Sequence, residues 1–253
     1  MATIGRDAFP SHEELITLAA AAGVTTRIGL MTDILLAATR HPIQLAKQAA
    51  SLDQISGGRF VLGIGVGDRE EDFTVTGSDF HTRGRRLDED LELMHRAWRG
   101  EKVNGSSWPV TPRPVNGHSV PTMFGGHTDR PIARVAKYGI GYTLGGGTPE
   151  SLKAMMSKVN AAWEAAGRKG KPEFRALTYF AIGGEAAAVG EANINAYYGE
   201  YGPRVWQRVL KTAAEAEERA QEFEAVGCDE LLMFMTAPGL EQVERLAEAV
   251  LPA

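Results

Sequence analysis

The chain has 253 residues, of which 43% are hydrophobic and 23% are charged, and its formal net charge is −5. This length and composition suit one large α/β domain with a sizeable core, and the acidic balance disfavours nucleic acid and anionic membrane surfaces as partners. The single cysteine, Cys228, excludes an internal disulfide and a cysteine-based zinc site.

The N-terminal sequence has no basic segment followed by an apolar one, which is the pattern of a signal peptide. The most apolar stretch, residues 28–38, is interrupted by Asp33. It is also shorter than the roughly 20 apolar residues that a bilayer span needs. We therefore expect a cytoplasmic protein that has no membrane partner.

Strand-like and helix-like segments alternate along the chain. A helix is predicted over residues 11–22, where Ser11 and Glu14 match a capping box. The predicted strands are residues 27–36, 59–66, 121–124, 140–144, 174–182 and 230–235. Long helices between and after them are predicted at residues 82–98, 149–166, 186–198 and 203–226.

About six strands, each followed by a helix, favour a parallel sheet with right-handed crossovers. The strand at residues 59–66 is almost continuously apolar, which is typical of a parallel strand covered on both faces. Residues 101–120 interrupt the alternation as an irregular excursion rich in Pro, Gly, Ser and Asn. No linker divides the chain, so we predict a single domain over residues 1–253.

Three stretches carry a combination of motifs that is more specific than any one of them. They are residues 27–67, with Arg40-His41-Pro42 and Ser56-Gly57-Gly58-Arg59; residues 83–89, Arg-Gly-Arg-Arg-Leu-Asp-Glu; and residues 112–142, with Phe124-Gly125-Gly126. In this order and spacing they resemble the bacterial-luciferase-like family of flavin-dependent monooxygenases and deazaflavin-dependent oxidoreductases. The likeness is good over residues 11–145 and weak over the remainder.

The resemblance implies a TIM barrel that holds a flavin at the C-terminal ends of its strands. The family's barrel starts with a strand, a helix and a second strand, and nothing before Ser11 supplies them. We therefore predict a TIM-barrel-like α/β fold that is truncated at its N-terminus and incomplete. Strands beside the gap would expose unpaired backbone groups and apolar faces, so we also predict a homodimer.

The resemblance also implies which residues bind the cofactor. They lie at three strand ends: Met31, Thr32 and Asp33 beside the flavin ring; Gly65, Val66 and Gly67 in the next loop; and Gly125, Gly126, His127 and Thr128 around the cofactor phosphate.

The segment from Gly125 to Thr128 has a physical reason to hold phosphate. Two glycines at a strand end let the backbone approach a ligand, and the N-terminus of the following helix offers free N–H groups to an anion. Arg130 can neutralise part of the phosphate charge. The alternative is a plain tight turn between a strand and a helix.

The glycines at positions 63, 65 and 67 also suggest a dinucleotide-binding fingerprint. That fingerprint requires a third glycine three places after the second, where this chain has Asp68. Residues 68–72 contain four carboxylates, which would repel a pyrophosphate. The dinucleotide interpretation is therefore disfavoured.

Two carboxylates are candidates for chemistry. Asp33 lies in an apolar strand, where burial without a partner is costly, so it either serves the cofactor or forms a salt bridge to Arg27 or Arg40. Asp68 follows a strand end, where barrel enzymes place their chemistry, and the alternative is a solvated loop acid. We assign cofactor positioning to Asp33 and catalytic proton transfer to Asp68.

The histidines show no metal-ligand spacing, so we predict no metal. The resemblance implies a flavin-dependent oxidoreductase or monooxygenase that uses FMN or the deazaflavin coenzyme and acts on a small organic substrate. With FMN, a separate flavin reductase would supply the reduced cofactor. The alternative function is a catalytically weak or inactive flavin-binding or scaffold protein derived from a truncated barrel.

Overall fold

A computed structural model describes residues 12–251. They form two compact units, residues 12–141 and residues 142–251. In each unit, parallel strands alternate with helices, which confirms the predicted α/β class. That the chain forms a single domain stays a prediction.

The first unit is built around one central strand. Its elements are α1 (Glu14–Val24), β1 (Leu30–Met31), β2 (Leu35–Leu36), a 3₁₀ turn (Ala37–Thr39), α2 (Pro42–Ser56), β3 (Phe60–Gly65), α3 (Glu70–Val75), α4 (Arg83–Trp98), β4 (Thr122–Gly125) and α5 (Arg130–Tyr138). Strand β3 pairs in parallel with β1 and β2 on one edge and with β4 on the other. Five of its six residues are buried, as expected for a parallel strand covered on both faces.

Only some of the helix ends follow the capping pattern predicted from the sequence. Pro42 occupies the first turn of α2, and Gly57 ends that helix in the left-handed conformation with a φ of 67°. The predicted capping residue Ser11 lies outside the described residues; α1 is instead capped by Glu13, which accepts a hydrogen bond from the Ile16 N–H at 2.7 Å. Arg40 pairs with Glu13 at 2.5 Å.

Helix α2 anchors the irregular excursion, residues 101–120. The buried Asp53 carboxylate accepts a hydrogen bond from the Val115 N–H at 2.7 Å, and the side chains of Lys47 and Gln54 donate to backbone carbonyls of the same segment. Burial raises the pKa of Asp53 above its ordinary value. The excursion is therefore fastened to a helix although it lacks regular structure.

The second unit contains β5, whose first residue lies at the unit boundary. Its elements are β5 (Gly141–Gly145), α6 (Pro149–Ala165), β6 (Glu173–Phe180), α7 (Gly184–Tyr198), a 3₁₀ turn (Gly199–Tyr201), α8 (Gly202–Trp206), α9 (Ala213–Ala225), β7 (Glu230–Met235) and α10 (Leu240–Val250). Strands β6 and β7 pair in parallel over six residues.

The prediction of one continuous helix over residues 203–226 is wrong. The helix is interrupted after α8, because Leu210 forms an isolated parallel bridge with Phe180 and is buried against it. Thr212 then starts α9 with a capping box to Glu215. Within the described chain, no helix combines the length and apolar character that a membrane span requires.

Acid should destabilise the first unit through His95. This side chain is buried in α4, stacks on Tyr138 with ring centroids 4.6 Å apart, and its Nε2 has no hydrogen-bond partner among the described residues. Burial lowers the pKa of His95 to about 4. Because the unfolded chain binds the proton more tightly, stability should fall as the pH drops below about 6.5 and level off below about 4, by roughly 3 kcal/mol.

His95→Phe keeps a stacking ring and removes the titrating group, so it should flatten this pH dependence. Urea unfolding at several pH values between 7 and 4 measures the slope, with the exposed His81→Gln as the matched control. An unchanged slope in His95→Phe would contradict the assignment.

Candidate functional site

The candidate residues of the first unit meet at one edge of its strands. The register pairs Leu36 with Gly65 and Ile64 with Phe124, so the C-terminal ends of β2, β3 and β4 are level. The carbonyl oxygen of Gly125 lies 3.9 Å from the position that a Cβ on Gly65 would take. The structure therefore brings the three predicted cofactor segments together.

The first of these segments is a break between β1 and β2. The predicted continuous strand over residues 27–36 is wrong: residues 32–34 leave the ladder, and the Asp33–Ile34 peptide is cis. The Thr32 hydroxyl takes over the pairing, because it accepts from the Gly63 N–H and donates to the Gly63 carbonyl, both at 2.9 Å. One side chain thus satisfies both backbone groups of a buried strand residue.

The break also explains two glycines on β3. A Cβ on Gly63 would stand 1.9 Å from the Thr32 carbonyl oxygen, and a Cβ on Gly65 would stand 2.1 Å from Ile34 Cδ1. Any side chain at Gly63 would collide with backbone, and one at Gly65 would displace Ile34. The glycines therefore let the broken segment lie directly on the central strand.

Asp33 lies in this break, not within a strand as its sequence neighbours suggested. The residue is half-buried, and its Oδ2 atom is shielded from solvent. Its position is set by the Thr32–Gly63 hydrogen bonds on one side and by Ile34 on the other. The backbone of Asp33 is therefore fixed at the strand edge.

The loop after β3 is tied to the start of α4 by Arg83. Its Nε donates to the Gly67 carbonyl at 2.9 Å, and its guanidinium lies 3.7 Å above the Phe80 ring. Phe80 packs edge-on against the buried Phe73 of α3, with centroids 5.4 Å apart. The loop therefore rests on an aromatic pair and a cation–π contact.

Asp68 is exposed in this loop. The segment that follows is the short helix α3, Glu70–Val75. Within α3, Asp72 is buried and pairs with Arg69 at 3.5 Å, while Glu70 and Glu71 face solvent. Asp68 is thus the exposed acid nearest in sequence to the strand end.

The third segment is the turn from β4 into α5. Gly126 has a φ of 144°, and a Cβ there would stand 2.9 Å from the Pro131 ring, so the position requires glycine. His127 and Thr128 are exposed, and within residues 12–251 the Asp129 side chain makes no capping hydrogen bond. In the first turn of α5, Pro131 has no N–H to offer, and the Ile132 N–H donates to the Asp129 carbonyl at 3.2 Å.

Two arginines of α5 lie beside Gly84 at the start of α4. Arg134 is buried and bonds to the Asp88 carboxylate at 2.6 Å and to the Gly84 carbonyl at 2.9 Å, which fastens α5 to α4. Arg130 is exposed, and its Nη1 lies 3.7 Å from where a Cβ on Gly84 would stand. Arg134 is thus paired, while Arg130 faces solvent beside the turn.

Comparison with known proteins assigns the chain to a family. The sequence profile described as luciferase-like monooxygenase matches residues 2–244. The chain belongs to this family. An uncharacterized protein of Mycobacterium tuberculosis is 31% identical to it over 179 residues, which are 68% of this chain and 61% of that protein. The chain thus spans about three fifths of the length of this curated relative.

A flavin-dependent trigonelline monooxygenase, oxygenase component, from Acinetobacter baylyi is 26% identical and aligns with 94% of this chain and 79% of its own. Two solved structures are similar in fold. The coenzyme F420-dependent tetrahydromethanopterin reductase of Methanopyrus kandleri has a TM-score of 0.74 at 19% identity, over 96% of this chain and 88% of its own. The FMN complex of the 3,6-diketocamphane monooxygenase oxygenating constituent from Pseudomonas putida has a TM-score of 0.70 at 16% identity, over 94% of this chain and 84% of its own.

The sequence missed two residues of this candidate site, Ile34 and Arg83, and the structural role of a third, Thr32. Ile34 covers Gly65, Arg83 holds the Gly67 carbonyl, and Thr32 supports the backbone through its hydroxyl. Ile34 gave no signal, because an isoleucine among apolar residues is typical of core. Arg83 belonged to the motif at residues 83–89, and its place in that motif was the only sign of its role.

Removing the Thr32 hydroxyl should weaken the break. Thr32→Val keeps the shape but leaves the Gly63 N–H and carbonyl without their side-chain partner, which should cost about 1–3 kcal/mol in the free energy of unfolding. Thr32→Ser retains the hydroxyl and should cost less than about 1 kcal/mol. Urea unfolding measures both variants, and equal losses would show that the hydroxyl does not stabilise the break.

Proposed function

We propose that the first unit binds a flavin-type cofactor, FMN or the deazaflavin coenzyme, and that the protein is an oxidoreductase or monooxygenase acting on a small organic substrate. The observation that carries this proposal is the meeting of three segments at one strand edge: the break at residues 32–34, the Gly65–Asp68 loop and the Gly125–Thr128 turn. Membership of the luciferase-like family supports it.

The turn into α5 fits a phosphate. Gly126 leaves the backbone of the turn without a side chain, and the positive end of the helix dipole of the nine-residue α5 lies at the same turn. Arg130 adds a full positive charge, whereas Asp129 adds a negative one. We therefore propose that Gly125 to Thr128 hold the phosphate, with Arg130 as its counter-charge.

The strand break fits the edge of a ring system. Met31 and Ile34 provide apolar surface over the two β3 glycines, and Asp33 provides a polar group between them. The bound cofactor would supply the hydride or oxygen chemistry, and the chain would supply placement and a proton donor. In this proposal Asp33 positions the cofactor, and Asp68, at the mouth of the next loop, transfers the proton.

The relatives that are named support an enzyme more than an inactive scaffold. The trigonelline protein is the oxygenase component of a monooxygenase, a name that implies a separate component. We propose that a flavin reductase serves the present chain in the same way if its cofactor is FMN. A homodimer and a cytoplasmic location remain parts of the proposal.

Cofactor binding can be tested through the charges of the turn. Isothermal titration with FMN and with the deazaflavin coenzyme should show binding of one of them, and riboflavin, which lacks the phosphate, should bind more weakly than FMN. Arg130→Gln should weaken phosphate-bearing ligands roughly five- to tenfold, about 1 kcal/mol. Asp129→Asn removes a like charge and should strengthen them.

Riboflavin is the control for these two variants, because neither change should alter its affinity. Binding of neither cofactor to the intact protein would exclude the proposed function. Equal effects of Arg130→Gln on FMN and riboflavin would exclude the phosphate assignment only.

The two acids can be separated by conservative changes. Asp33→Asn should mainly change cofactor affinity, because the residue is fixed at the strand break. Asp68→Asn should mainly lower the rate of cofactor reoxidation or turnover, by about 10²-fold or more for a proton donor. Glu71→Gln, an exposed acid of the same segment, is the control. Wild-type behaviour of both aspartate variants would remove both acids from the proposal.

A further inference from the structure

On one face of strands β6 and β7 in the second unit, three pairs of side chains lie opposite each other. Side chains alternate between the two faces of a strand, so every second register pair shares one face. The pairs on this face, from the N-terminal to the C-terminal end, are Arg175 with Glu230, Leu177 with Leu232, and Tyr179 with Phe234. The first pair is an ion pair at 2.9 Å, and the last is aromatic.

The other face of these strands is covered by helices. Phe180 of β6 is buried in a cluster with Ala216 of α9, and Met233 of β7 and Leu246 of α10 pack against that cluster. Phe180 and Met233 belong to the opposite alternation from Tyr179 and Phe234. The aromatic pair is therefore turned away from α9 and α10.

Helix α7 adds two more rings to this pair. The Tyr179 ring meets Phe234 at 6.4 Å and an angle of 69°, and meets Tyr198 at 6.3 Å and 73°. The hydroxyls of Tyr179 and Tyr198 share a hydrogen bond of 2.7 Å, and Tyr197 lies edge-on to Tyr198 at 4.8 Å. We name these four residues the aromatic corner.

The aromatic corner packs against a buried cluster on one side and is partly exposed to solvent on the other. Tyr179 and Tyr198 pack against a buried cluster that includes Ala181 and Ile194, so their positions are fixed from below. Phe234 is 38% exposed although it lies in a paired strand. An exposed aromatic ring beside pre-positioned tyrosines is an incomplete edge-to-face arrangement that another ring would complete.

We propose that the aromatic corner binds a small planar aromatic molecule. The corner stands at the C-terminal ends of two parallel strands, where α/β proteins bind ligands. Phe234 is 38% exposed and the three tyrosines are half-buried, so the exposed aromatic area of the corner is at most a few hundred Å². A protein partner needs about 800 Å² on each side, so a small molecule fits the surface better than a second copy of the chain.

Saturation-transfer NMR and titration with p-cresol test this site on the full chain without flavin. The saturated analogue 4-methylcyclohexanol has the same carbon skeleton and hydroxyl but no ring face. We expect p-cresol to bind at least fivefold more tightly than the analogue. Phe234→Leu, which keeps apolar volume, should weaken p-cresol at least fivefold, and Phe234→Ala at least as much.

Leu240→Ala is the matched control, because Leu240 is 75% exposed in the same unit and lies outside the corner. Its p-cresol affinity should equal that of wild type. Equal affinity of the two probes, or wild-type affinity in Phe234→Leu, would overturn the proposal. Sedimentation would overturn it as well if the chain self-associates at micromolar concentration and Phe234→Ala abolishes that association. Each of these results leaves the flavin proposal standing, since no flavin is used.

Discussion

The candidate site depends on one hydroxyl group. Where the chain leaves β1, the Thr32 side chain bonds to both backbone groups of Gly63, so a buried strand residue stays satisfied while its neighbour strand is interrupted. The interruption lets Ile34 descend onto Gly65 and sets Asp33 at the strand edge. Because the broken segment lies directly on β3, a side chain at Gly63 or Gly65 would collide with it.

The two units use their parallel strands in the same way. In the first, the C-terminal ends of β2, β3 and β4 meet glycine turns and a helix start; in the second, β6 and β7 end in aromatic side chains. At the N-terminal end of the second pair, Arg175 and Glu230 form an ion pair. In both units the residues proposed to bind ligands therefore lie at the C-terminal ends of the strands, where this fold class generally places its sites.

Local pattern predicted much of the fold. The apolar run of β3, the helix α6 and the glycine turn at the end of β4 lie where periodicity and turn chemistry put them. Local pattern failed at two places, the break at residues 32–34 and the interruption after Trp206. In each, a contact distant in sequence overrides the local preference: Thr32 with Gly63, and Leu210 with Phe180.

The sequence by itself determined the parallel α/β class, because apolar periodicity is a local property of the chain, and its resemblance to a known family implied the three segments of the candidate site. Only the tertiary structure decided how those segments are held. It showed that Thr32 bonds to backbone, that Ile34 and Arg83 belong to the site, and that Asp68 is exposed while Asp72 is buried. These facts depend on which backbone groups lose their strand partners and on which side chains fill the space, and both are set by contacts between residues far apart in the chain.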